Sequence, residues 1–107
     1  MSHEQPVMVV FRSRLNDGVQ EPFQQEAARM ETLATAMPGF LGYKVFTADD
    51  GERVSIIEFE SLESERAWRD HPEHRDAQQR GRAEYYAGYR LQVCAVQQDR
   101  SFGELSG

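Results

Sequence analysis

Phe40-Leu41-Gly42-Tyr43-Lys44-Val45-Phe46-Thr47 and Arg53-Val54-Ser55-Ile56-Ile57-Glu58-Phe59, separated by Asp49-Asp50-Gly51, read as an antiparallel hairpin. Both flanks are rich in β-branched and aromatic residues, and Gly51 supplies the positive φ that a tight turn requires. Upstream, Pro38-Gly39 closes a helix that opens near Glu21-Pro22, in which Phe23, Ala27, Met30, Leu33, Ala34 and Met37 recur at helical spacing. Before it, Val7-Met8-Val9-Val10-Phe11-Arg12-Ser13-Arg14 is a strand ended by Asn16-Asp17-Gly18.

Downstream of the hairpin, Ser61 is the expected N-cap of a second helix, with Glu63 and Glu65 in the first turn where the helix dipole favours acids. That helix carries Trp68 and stops near His71, because Pro72 lacks an N–H and pushes the residue before it away from helical angles. Pro72 suits the first position of another helical piece, whose His74, Ala77, Gln78, Gly81 and Tyr85 share one face and which Gly88 terminates. Tyr89-Arg90-Leu91-Gln92-Val93-Cys94-Ala95-Val96 alternates as a last strand. The order predicts an α+β fold, a ferredoxin-like βαββαβ sandwich with a four-stranded antiparallel sheet and helices on one face. Residues 7–98 form the expected domain, between an N-terminal extension (1–6) and a polar C-terminal tail (99–107) that is frayed or draped over a neighbour.

A sheet covered on one face leaves the other to be explained. Val7, Val9 and Phe11 point one way and Met8 and Val10 the other; in the hairpin, Tyr43 and Val45 oppose Phe40 and Phe46. With both faces partly apolar, a homodimer packed sheet to sheet is expected.

The formal charge of −6 on 107 residues argues against nucleic acid and anionic membrane as partners, since both need clustered Lys and Arg. A small molecule or another protein is the expected partner. Cys94 is alone, which excludes an intramolecular disulfide and suits a reducing compartment; its apolar surroundings in sequence predict a buried, inert thiol. With no signal-peptide pattern and no run long enough to span a bilayer, a cytoplasmic location is expected.

Chemistry-bearing residues are concentrated between Ala67 and Tyr89, which hold the only Trp, two of the three His and three of the four Tyr. Met37-Pro38-Gly39-Phe40-Leu41-Gly42-Tyr43, Glu58-Phe59-Glu60-Ser61, Ala67-Trp68-Arg69-Asp70-His71-Pro72-Glu73-His74 and Gly81-Arg82-Ala83-Glu84-Tyr85-Tyr86 resemble the antibiotic biosynthesis monooxygenase family, over nearly the whole span from Val7 to Val96. The resemblance implies a dimeric α+β barrel and oxidation of polycyclic phenols, anthrones or quinols by O₂ without metal or flavin. A similar branch degrades haem with an Asn on the first strand, a Trp on the second helix and a His further along. Trp68 matches that Trp, while Ser13 and Gln78 stand at the other two positions; Gln is a poor iron ligand, so haem cleavage by that route is not expected.

Direct oxidation by O₂ is spin-slow unless the substrate is first made electron-rich as a phenolate or carbanion. The protein then needs a base near neutral pKa, a donor for the developing oxyanion and dry walls. His71 or His74 is the candidate base and Trp68 the wall or donor; Ser13, Gln78, Tyr85 and Tyr86 are candidate substrate-binding residues. Each has a plainer reading: a capping or exposed His, a core Trp, a Ser bonded to backbone, tyrosines packed at a dimer contact. His71-Pro72-Glu73-His74 lacks metal-ligand spacing, and no nucleotide or serine-hydrolase motif is present, so neither metal nor cofactor is expected. The leading reading is a small oxygenase acting on an aromatic or quinol-type compound. The alternatives are a homodimeric module that binds a hydrophobic metabolite or haem without turnover, and a stress-associated dimer with a vestigial cavity.

Overall fold

Alternation along the first apolar run carries the chain into strand β1 (Val7–Leu15), after which α1 (Gln20–Thr35) crosses to the hairpin strands β2 (Phe40–Thr47) and β3 (Arg53–Phe59). Helices α2 (Leu62–Arg69) and α3 (Pro72–Arg80) follow, then a π-helical turn (Gly81–Tyr85) that feeds β4 (Tyr86–Ala95). These elements come from a computed structural model that describes residues 5–105; the ends of the expected N-terminal extension and tail, residues 1–4 and 106–107, lie outside the described residues.

The strands form one sheet in the order β2-β3-β1-β4, every neighbour antiparallel, with the helices on one face: the ferredoxin-like α+β sandwich. Partners across a ladder share a face, so the register sorts the helix-side residues into four rows. From one end to the other they are Phe40–Phe59–Val7–Ala95, Tyr43–Ile57–Val9–Val93, Val45–Ser55–Phe11–Leu91 and Thr47–Arg53–Ser13–Tyr89. The sheet thus grades from apolar to polar along its strands. The core sits at the apolar end, where Val7, Val9, Phe59, Ala34 and Trp68 are buried together and Met30, Leu33, Met37, Phe40 and Ile57 pack around them.

Two local devices hold the helices there. Ser61 caps α2 as expected, its Oγ accepting from Ser64 N at 3.1 Å. At Gly39, φ is +84°, and a Cβ would lie 2.1 Å from Ser64 Oγ. Only glycine lets the α1–β2 turn approach α2 so closely.

Four sequence expectations require correction. Phe40 lies on the helix side with Phe59, not with Phe46, because the ladder slips one register between Phe40 and Gly42. The helix expected to run to Gly88 is α-helical only to Arg80. Tyr86 N–H then bonds to Gly81 O in the wider π spacing, and Tyr86 pairs with Leu15 as the strand begins. Gly88 is therefore a strand residue opposite Arg14, not a helix terminator. Finally, Cys94 is exposed, not buried: it pairs with Met8 on the face that no helix covers, on an edge strand.

Candidate active site

Between the helix face of the sheet and α1, α2 and α3 lies a cavity of about 380 Å³. Val9, Phe11, Ile57, Phe59 and Leu91 form its floor, and Phe23, Ala27, Met30 and Ala34 of α1 part of its roof. Its wall at the α2–α3 joint is Trp68, 8% exposed, with His74 and Gln78 beside it.

The α2–α3 joint brings these three together. The chain turns at Asp70-His71 and restarts at Pro72, so His74 on the first turn of α3 returns to the end of α2. Its imidazole stacks on the Trp68 indole, with centroids 4.2 Å apart and planes at 13°. His74 Nδ1 lies 3.1 Å from the Trp68 carbonyl oxygen and 3.2 Å from Gln78 Nε2. A carbonyl oxygen only accepts, so the bond to Trp68 O puts the ring proton on Nδ1, and the Gln78 amide nitrogen, itself a donor, then lies against that N–H without bonding to it. Gln78 Nε2 in turn donates to Arg69 O at 3.3 Å. The remaining lone pair of the neutral ring is then on Nε2. Burial, the largest influence, lowers the His74 pKa; the bond to Trp68 O opposes it, and nearby His71 adds to the lowering. The imidazole is accordingly neutral at pH 7 and able to take a proton.

At the opposite end, Ser13 is 5% exposed on the floor beside Arg53 and Tyr89. The π turn places Tyr86 over this end: its ring packs on Gly81, meets Phe11 edge-on at 5.4 Å and Phe23 at 5.6 Å. Burial pushes the Tyr86 hydroxyl up to about 12, overcoming the favourable influence of Arg53, so it stays protonated and serves as a donor.

Of the seven residues singled out from sequence, Ser13, Trp68, His74, Gln78 and Tyr86 line this one cavity. His71 and Tyr85 do not. His71 caps α3, its Nδ1 accepting from Glu73 N at 3.2 Å. Tyr85 is turned off the helix face by the π spacing, and its ring meets Phe23 edge-on at 5.9 Å. The chain reading missed Arg53, Ser55, Tyr43, Tyr89 and Arg82, which also line the cavity, and the buried Glu65, whose carboxylate accepts from Arg69 Nε at 3.1 Å. The signal for two of them was present: Arg53 and Ser55 share parity with Ile57 and Phe59, polar residues on the inward face of an alternating strand. Among the described residues no group of three or more His, Cys, Asp or Glu is arranged to hold a metal ion. None of the described helices is long and apolar enough to cross a membrane.

Residues 6–80 match the family model for antibiotic biosynthesis monooxygenase. The uncharacterized protein YqjZ of Bacillus subtilis (strain 168) is 32% identical over 101 residues, covering 94% of this chain and 89% of YqjZ. Among solved structures, Rv0793 from Mycobacterium tuberculosis superposes with a TM-score of 0.79 at 20% identity, over 90% of this chain and 99% of that one. SnoaB, a cofactor-independent oxygenase from Streptomyces nogalater, does so with a TM-score of 0.74 at 18% identity, over 89% and 96%. These two structures share the fold, and the family model spans most of the chain, α2, α3 and the Trp68–His74 pair included. The chain belongs to the antibiotic biosynthesis monooxygenase family.

Proposed function

We propose that this protein is a homodimeric, cofactor-independent monooxygenase that oxidises a small phenol, anthrone or quinol-type aromatic with O₂ in the cavity between sheet and helices. The observation that carries the reading is the neutral imidazole of His74, fixed through Nδ1 to Trp68 O and stacked on the indole, in a cavity walled mainly by apolar side chains. Belonging to this family and sharing its fold with SnoaB, a cofactor-independent oxygenase, support it.

In this reading His74 Nε2 takes the acidic proton of the bound substrate. The resulting phenolate or carbanion is electron-rich enough to pass one electron to O₂, and the radical pair combines at carbon. For an anthrone, the ring CH₂ becomes C=O: one oxygen atom enters the product, the other leaves as water, and the substrate supplies all four electrons. Tyr86, held protonated, donates to the developing oxyanion, and the apolar floor keeps water from the intermediates. Ser13 and Gln78 orient the substrate. His71 keeps its structural task as the α3 cap.

Oxygen uptake with a panel of anthrones and hydroquinones tests this. Native protein should accelerate uptake by at least one substrate, His74→Ala should lose about 100-fold or more in kcat/KM, and His71→Ala should lose little. Uptake at the uncatalysed rate across the panel, with ligands bound, would assign the cavity to binding alone. Undiminished activity in His74→Ala would remove His74 as the base.

A further inference from the structure

We propose that the ligand is an anionic aromatic, its carboxylate or phosphate held by Arg53 with Arg82 at the rim while its ring reaches toward Trp68 and His74. The proposal rests on the aromatic-oxidising reading above and narrows its substrate class.

The charge balance of the cavity points there. Five charged side chains line it: Glu31, Arg53, Glu65, Arg69 and Arg82. Glu65 and Arg69 neutralise each other across one helical turn, which leaves Arg53 and Arg82 against Glu31, a net charge of +1. Arg53 is half-buried, its guanidinium 4.6 Å over the Phe23 ring, and has no ion-pair partner among the described residues. Arg82 has none either; its Nη1 donates to Tyr89 Oη at 3.5 Å. Arg12, Arg14, Arg29, Arg69 and Arg80 each meet a carboxylate, and the other arginines that meet none among the described residues, Arg66, Arg75, Arg90 and Arg100, are exposed to water. In a chain with 18 acidic residues against 12 basic ones, acidic partners are plentiful, yet the half-buried Arg53 lacks one among the described residues.

A guanidinium does not lose its proton, and withdrawing it from water without an anion is costly. Its planar fork matches an oxyanion with two parallel N–H···O bonds. The neighbour of Arg53 in its row that also lines the cavity, Ser13, is a neutral donor that adds to such a site without competing for the charge. Tyr89, next in that row, ties Arg82 to the same end. From this row to Val9, which clusters with Trp68, is four strand residues, about 13 Å. A two-ring aromatic and the arginine side chain together bridge that length.

Isothermal titration at pH 7 with 1-naphthol, 1-hydroxy-2-naphthoate and 1-naphthyl phosphate decides the matter without turnover. Native protein should bind at least one of the anions about tenfold or more tightly than neutral 1-naphthol, and the tighter of the two identifies the oxyanion. Arg53→Met, which keeps the apolar stem over Phe23, should bring the preferred anion to within about twofold of 1-naphthol. Arg53→Lys, which keeps the charge without the fork, should fall between, and Arg82→Met should reduce the preference independently of Arg53. Equal affinity for all three ligands, or an undiminished anion preference in both methionine variants, overturns the anion site and leaves the oxygenase reading standing. Failure of all three ligands to bind overturns both.

Discussion

Burial and a carbonyl oxygen act in opposite directions on His74, and burial prevails, lowering its pKa below 6.5. The sign for stability follows. Above pH 6.5 the ring is neutral folded or unfolded; as pH falls from there toward the lowered folded value, only the unfolded chain binds the proton, so stability declines. Below the folded value both states are charged and the loss is complete. Denaturant unfolding of native protein should therefore show a decline in stability as pH is lowered from 7 through 6.5, which His74→Gln should lack. In oxygen uptake, kcat/KM should hold its plateau below pH 6.5 before an acidic limb sets in, since the base stays neutral there. A limb centred at or above 6.5 would contradict the burial of the ring. Trp68 and Gln78 were legible through the family resemblance, and His74 as an imidazole beside the proline joint on the same face of α3 as Gln78. His71 was legible as a joint, but its task there is the cap of α3. Arg53 was missed because a lone arginine in a strand reads as solvent-facing until the register sets it beside Ser13.

Elements were readable where glycine or proline punctuates them and obscure where tertiary contact decides. The hairpin strands run over the residues expected, and Pro38-Gly39 ends the α1 turn for a reason now visible: positive φ and a near collision with Ser64 at once. Gly39→Ala faces both costs, about 1–2 kcal/mol for the left-handed backbone and roughly 1–3 kcal/mol for overpacking. It should lower unfolding stability by about 2–5 kcal/mol. Gly18→Ala, also at positive φ but with open space around it, should lose only the backbone part. Equal losses in the two variants, measured by urea unfolding, would show that the contact with Ser64 carries no weight. The α3–β4 junction was not legible, because no local signal marks a π turn. There, Tyr86 packs against the bare α-carbon of Gly81 and takes the inward place that a regular helix would have given to Tyr85.

For the whole molecule, the sequence shows a two-faced sheet but not what covers each face, and Cys94 marks the difference. It was expected to be buried on the strength of its apolar neighbours in sequence, yet in one chain it stands exposed on the uncovered face with Met8 and Val10 of β1, and with Val54, Ile56 and Phe46 further across. Phe46 is 51% exposed there, and the ion pairs of Arg12 with Glu52 and Arg14 with Asp50 rim one end of this face. An apolar centre beside a charged rim suits burial against a second copy, where β-sheet meets β-sheet in an isologous contact. Light scattering should accordingly give native protein twice the 12.3 kDa chain mass. Phe46→Asp, at a position exposed in the single chain and so tolerable to its fold, should shift the mass to one chain. Cys94 supplies the internal check: in the dimer it should react with a thiol reagent about tenfold or more slowly than in Phe46→Asp, because the reagent reaches it only through dissociation. A native mass of one chain, or equal thiol reactivity in the two proteins, would show that this face is not where copies meet.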